Sequence, residues 1–182
     1  MKMMISLLFV FFSQVASAGE RAVSSGTVSL VQIKAETAEV PATIVGVTGS
    51  VDLAAGTGSL TIPVSAWDSE LEIRNNNVRN TFFQVAEHPT VTFSLESLAL
   101  TDGAGIAKGT LSMYSGSVPV QASVSVSEGS DGVTAVKTTE PFFVSISALG
   151  LSEPLKALMK LCAHPSVSDA VQVSLSVTLA KE

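Results

Sequence analysis

The chain has 182 residues, with ten Lys and Arg against sixteen Asp and Glu and a formal net charge of -6. That acidic balance argues against nucleic acid and against an anionic membrane surface as partners, since both select basic patches. Charged residues make up only 14% of the sequence and hydrophobic ones 46%, which with abundant Val, Ser and Thr suits sheet surfaces dressed with hydroxyls rather than salt-bridged helices.

Residues 1–18, MKMMISLLFVFFSQVASA, have a basic start at Lys2, an apolar run over residues 3–12 and a small-residue end, Ala16-Ser17-Ala18. This is the layout of a secretory signal peptide, and its apolar run is too short to span a bilayer. Cleavage after Ala18 exposes Gly19 rather than Cys, so no lipid is expected on the new N-terminus. The expectation is a soluble periplasmic protein with no membrane span after cleavage, made of one domain over residues 19–182. Losing Lys2 takes the net charge to -7.

From there, period-2 alternation runs from end to end, as expected of strands with one buried face. TVSLVQIKAE offers Val28 and Leu30, then Val31 and Ile33, a phase slip that suggests a bulge. ATIVGVTGSVDL places Val45, Val47, Val51 and Leu53 on one side with Gly49 between them, and GSLTIPVSAW follows with Leu60, Ile62 and Val64. Pro63 has no N–H for a partner strand, so an edge or bulge is expected there.

WDSELEIRNNNVRN interrupts the rhythm. Ser69 and Glu72 form a capping-box pattern that predicts a short helix, with Leu71 or Ile73 facing inward. The Asn75–Asn77 run is a poor helix interior and is expected to end it. Strands resume with Val91, Phe93 and Leu95, then Leu111 and Met113, then Val118 to Val126 in alternation, then Phe142, Val144 and Ile146, with Phe143 as a further inward candidate. LSEPLKALMKLC predicts a second helix, with Ser152 as N-cap, Pro154 in the first turn and Leu151, Leu155, Leu158 and Met159 at helical spacing. Strict alternation of Val171, Val173, Leu175, Val177 and Leu179 closes the chain.

Roughly eight strands joined mostly by tight turns imply an antiparallel, all-β fold. Closure into an eight-stranded barrel, with one or two short helices inserted, hides every sheet edge; a two-sheet sandwich is the alternative. The inward residues are mostly medium and small apolar groups, which suit either a narrow dry channel or a solid core.

Nothing in the sequence assembles a catalytic site. His88 and His164 each precede a proline, and no nucleophile elbow, HExxH or CxxC occurs. Cys162, His164 and His88 lack the spacing support that a metal site needs, so neither metal nor cofactor is expected. Asp68, Glu70 and Glu72 read as charges at a helix N-terminus. The single cysteine excludes an internal disulfide; Cys162 is expected either to be buried or to join two copies as a homodimer. Arg74 and Arg79 flank the Asn run, where they suit either an anionic head group or ion pairs with Glu70 and Glu72.

Two segments, IRNNNVRNTFFQVAEHPTVTF (residues 73–93) and KGTLSMYSGSVPV (residues 108–120), together resemble the YceI-like family. The likeness runs in order over roughly residues 23–180. It departs from the family pattern at Asn75 and Asn77, where many members carry Asp and His, and at His88, where a tyrosine is common before the proline. The segment EPLKALMKLCAHP is longer and more apolar than in other members. The resemblance implies an exported lipocalin-like barrel whose apolar channel takes a polyisoprenoid, an isoprenoid quinone or a related long-chain lipid as its bound ligand. Val47, Val64, Phe93, Leu111, Val124, Phe142, Val144 and Val173 are then the expected wall, Phe82 and Phe83 the mouth, and Arg74 or Arg79 the neighbour of a polar head. The alternative is a non-enzymatic stress-protective or interaction module with a filled core.

Overall fold

The computed structural model describes residues 19–181; the expected signal peptide over residues 1–18 lies outside the described residues. Eleven strand segments run in chain order with two α-helices. They are β1 (Glu20–Lys34), β2 (Ala38–Val45), β3 (Thr48–Asp52), β4 (Thr57–Pro63), β5 (Trp67–Asp68), α1 (Glu72–Asn77), β6 (Thr90–Thr101), β7 (Ala104–Met113), β8 (Gly116–Glu128), β9 (Thr134–Thr138), β10 (Phe142–Ser145), α2 (Ser152–Cys162) and β11 (Val167–Leu179). A 3-10 turn, Val64–Ala66, precedes β5, and a π-helical turn, Val78–Phe82, continues α1.

These segments form eight staves of a closed antiparallel barrel. β2 and β3 are one stave bent at Gly46 and Val47, and β9 and β10 are one stave broken around Pro141. Both halves of the first pair with β1, and both halves of the second pair with β11. The two-residue β5 is an addition to the edge of β2. The ring closes where β11 pairs with β1, from Val23 opposite Leu179 to Lys34 opposite Val167. Closure leaves no open sheet, which excludes the sandwich.

Because every stave is antiparallel to its neighbours, connections alternate between the barrel's ends. The β1–β2 and β7–β8 turns, the link from β4 to β6 and the link from β10 to β11 all lie at one end, so α1, the π-helical turn and α2 share it. Chain entry, exit and the remaining hairpins lie at the other. There Arg21 ties the ring together: its guanidinium donates to the Ala180 carbonyl (2.8 Å), Thr134 Oγ1 (2.6 Å) and the Gly132 carbonyl (2.9 Å).

Several local expectations are corrected. In β2 the inward set is Val40, Ala42 and Ile44, while Val45 is 55% exposed. The bend at Gly46 resets the phase, so that Val47 and Val51 turn inward again. The bend is tight: a Cβ on Gly26 would approach Val47 Cβ to 2.7 Å, so this crossing requires glycine. In β1 the inward phase runs on from Leu30 to Gln32, and register irregularities against β11 fall between Val23 and Ser25 and between Gln32 and Lys34.

Around α1 the capping box does not form. Leu71 is the N-cap without a side-chain bond, and the Ser69 hydroxyl instead donates to Asn75 Oδ1 (2.8 Å). Leu71 and Ile73 face outward, Ile73 at 68% exposure. α1 ends within the Asn run, at Asn77, and the chain runs on as the π-helical turn; inside the run Asn75 makes tertiary bonds, accepting the Ser69 N–H (2.9 Å) and donating to Asp68 Oδ1 (2.6 Å). Ser152 opens α2 as its first helical residue, after Leu151 as N-cap. Phe143 points outward at 66% exposure.

Candidate ligand cavity

The interior of the barrel is not filled. A cavity of about 210 Å3 runs along it. Its wall is built from alternate residues of almost every stave: Val28 and Leu30 of β1, Val40, Ala42 and Ile44 of β2, Leu60 and Ile62 of β4, Val91 and Phe93 of β6, Ala107, Leu111 and Met113 of β7, Val120, Ala122 and Val124 of β8, Phe142 and Val144 of β10, and Val171, Val173 and Leu175 of β11. Small side chains at Ala42, Ala107 and Ala122 leave the space open, since interiors otherwise pack to crystal-like density.

The helical end supplies the rest. Val64, Trp67, Val78, Phe82 and Phe83 come from the β4–β6 link, and Leu149, Leu151, Leu155 and Leu158 from the approach to α2 and its inner face. The two Phe rings meet edge to face, with centroids 4.9 Å apart, a favoured aromatic geometry. The backbone beneath them is pinned by Tyr114, whose hydroxyl donates to the Phe83 carbonyl at 3.0 Å and lies 3.1 Å from Gln84 Oε1. His88 stacks on the Tyr114 ring at 3.7 Å, so the residue that departs from the family's tyrosine still holds an aromatic contact. Burial, reinforced by the Glu87 charge, raises the Tyr114 hydroxyl above its ordinary pKa. It therefore stays protonated and able to donate.

Ten of the expected site residues fall on this cavity or its cap: Val64, Phe82, Phe83, Phe93, Leu111, Val124, Phe142, Val144 and Val173 line it directly, and Arg79 braces the cap from outside. Its Nε donates to the Trp67 carbonyl at 3.0 Å. Val47 is buried in the core but does not reach the cavity, because it packs at the β2–β3 bend. Arg74 does not line the cavity either. Among the described residues the only side-chain ion pair is Glu153–Lys156 at 2.7 Å, so neither arginine pairs with Glu70 or Glu72. Cys162 is half-buried at the end of α2, and its sulfur accepts Asn77 Nδ2–H at 3.6 Å.

Reading from the residues overlooked Val40, Ala42, Ile44, Trp67, Val78 and the α2 leucines as lining. The strict alternation in EVPATIV and the helical spacing of Leu151, Leu155 and Leu158 carry the signal for most of them. Two polar residues line the wall, Gln32 and Thr138. Gln32 Nε2 donates to the Ser168 carbonyl (2.8 Å), and Thr138 Oγ1 accepts the Leu175 N–H (3.1 Å).

A family model described as the YceI-like domain matches residues 20–179. The chain belongs to the YceI-like family. Solved structures agree on the fold of this YceI-like barrel. A polyisoprenoid binding domain from Saccharophagus degradans, implicated in plant cell wall breakdown, superposes with a TM-score of 0.76 at 15% identity, covering 90% of this chain and 99% of that one. BcnA of Burkholderia cenocepacia gives 0.66 at 17% identity, over 85% and 96%. A mutant YceI protein of Campylobacter jejuni, solved with a monobromobimane guest, gives 0.64 at 17% identity, over 99% and 100%. No curated protein matches the chain.

Proposed function

We propose that this YceI-like protein is an exported carrier or sequestering protein that holds the tail of a long-chain amphiphile, a polyisoprenoid or an isoprenoid quinone, in its barrel, and that it binds rather than catalyses. The observation that carries the proposal is the lengthwise cavity with its apolar wall. Moving a prenyl tail from water into such a wall gains about 25 cal/mol per Å2 of apolar surface removed, a large sum over a long chain. The polyisoprenoid binding described for the Saccharophagus degradans domain supports the ligand class, and the leader pattern of residues 1–18 supports export. Entry is assigned to the helical end, where α2 and the π-helical turn cover the cavity; at the opposite end Arg21 ties the neighbouring staves β1, β11 and β9 together. An open interior favours this reading over an interaction module, which needs a filled core.

Purification from the native host, solvent extraction and mass spectrometry provide the test. The expected result is a long-chain isoprenoid lipid approaching one per chain. Protein that carries no lipid and takes up none when offered polyprenols or quinones would count against it.

A further inference from the structure

The cavity that takes a tail has no place for a charged end. Among the described residues no Lys, Arg, His, Asp or Glu lines it; of its polar side chains, Gln32 and Thr138 bond to backbone groups, and the Trp67 indole N–H is a single neutral donor. Among the described residues, no buried side-chain nitrogen or oxygen lacks a hydrogen-bond partner. A wall built to receive an ionised head group would offer a counter-ion, because burying a charge without a partner is costly. Arg79, in the π-helical turn of the cap, does not line the cavity, and its Nε donates to the Trp67 carbonyl.

We infer that the cavity reads the neutral hydrocarbon of its ligand alone and rejects an ionised end. This rests on the amphiphile-binding proposal and narrows its ligand class. A neutral hydroxyl or quinone head enters at a modest cost, whereas a prenyl phosphate or carboxylate binds only with its head left in water. An ionised head carried inside loses several kcal/mol of hydration with no cation to offset it. Ligands whose tails are short enough to be swallowed must therefore discriminate most strongly by charge.

Geraniol, farnesol and geranylgeraniol, each paired with its monophosphate, test this below their aggregation concentrations. Trp67, the chain's single tryptophan, lines the cavity, so its fluorescence reports filling directly. The expected result is binding of the alcohols with the matching phosphates weaker by at least about tenfold for the shortest tail bound, or about 1.4 kcal/mol. Equal affinity within the pair of the shortest tail bound, or tighter binding of its phosphate, would overturn the inference by requiring a cation at the wall. Binding by neither series would overturn the amphiphile-binding proposal instead, so the two failures are distinguishable.

Discussion

Asn75 stands where a helix-forming residue would be expected, and its position makes sense only through its partners. At 3% exposure it accepts from the backbone and hydroxyl of Ser69 and donates to Asp68, joining β5 to α1. Asn75→Ala leaves the Ser69 N–H without its acceptor and is expected to cost about 1–3 kcal/mol, read as a lowered midpoint in urea unfolding with unchanged slope. Asp68 adds a pH dependence. The Glu70 N–H, followed by the Asn75 side chain, holds its carboxyl below the ordinary pKa. A lowered folded-state value means its contribution is complete above the ordinary carboxylate range and is lost as pH falls through the lowered value. Amide protection around Ser69 and Glu70, relative to intrinsic exchange rates, is therefore expected to fall selectively once the pH drops below the ordinary carboxylate range. Asp68→Asn, measured in parallel, is expected to remove that acid response; a response that persists in the variant would assign it to another group.

Strand pairing explains why the two motifs that carried the family resemblance travel together. TVTF lies in β6, just after Pro89, and KGTL in β7, and they are hydrogen-bonded neighbours in which Phe93 faces Leu111 and Leu95 faces Gly109. A Cβ on Gly109 would meet the Phe93 ring at 2.7 Å and the Ser94 carbonyl at 2.2 Å. The glycine thus makes the seat that lets Phe93 lie along the cavity wall. Gly109→Ala is expected to destabilise the barrel by about 1–3 kcal/mol and to push the ring inward, so that calorimetry shows a lower Tm and lipid uptake falls. The strands with uninterrupted alternation, β8 and β11 above all, were legible from residues alone, and with them most of the wall. What was not legible has two physical causes. The inward phase of β2 was hidden because the bend at Gly46 shifts it, and the behaviour of Asn75 was hidden because long-range hydrogen bonds override local helix propensity. Val47 failed as a lining residue for the same reason: facing inward at a bend is not the same as reaching the cavity.

At the scale of the molecule, the barrel divides into a laced end and a capped end. The capped end is built from the two non-strand insertions, α1 with the π-helical turn and α2, and the other end from regular hairpins and the chain's entry and exit. Closed barrels also depend on pairing residues far apart in the chain, here β1 with β11, and such topologies fold slowly. At the laced end, the Ala180 N–H donates to the Ala22 carbonyl at 2.7 Å, so the first and last strands of the described chain emerge side by side. The barrel is a ring in which no stave is intrinsically first. Joining these neighbouring strands through a short Gly-Ser linker and reopening the chain at the β6–β7 turn, where Asp102 and Gly103 take positive φ, moves both termini to an exposed hairpin. The permuted protein is expected to keep its far-ultraviolet circular dichroism and its capacity for lipid. Retention of both would mean that the fold is encoded in which staves touch, and that the order in which the polypeptide visits them is incidental.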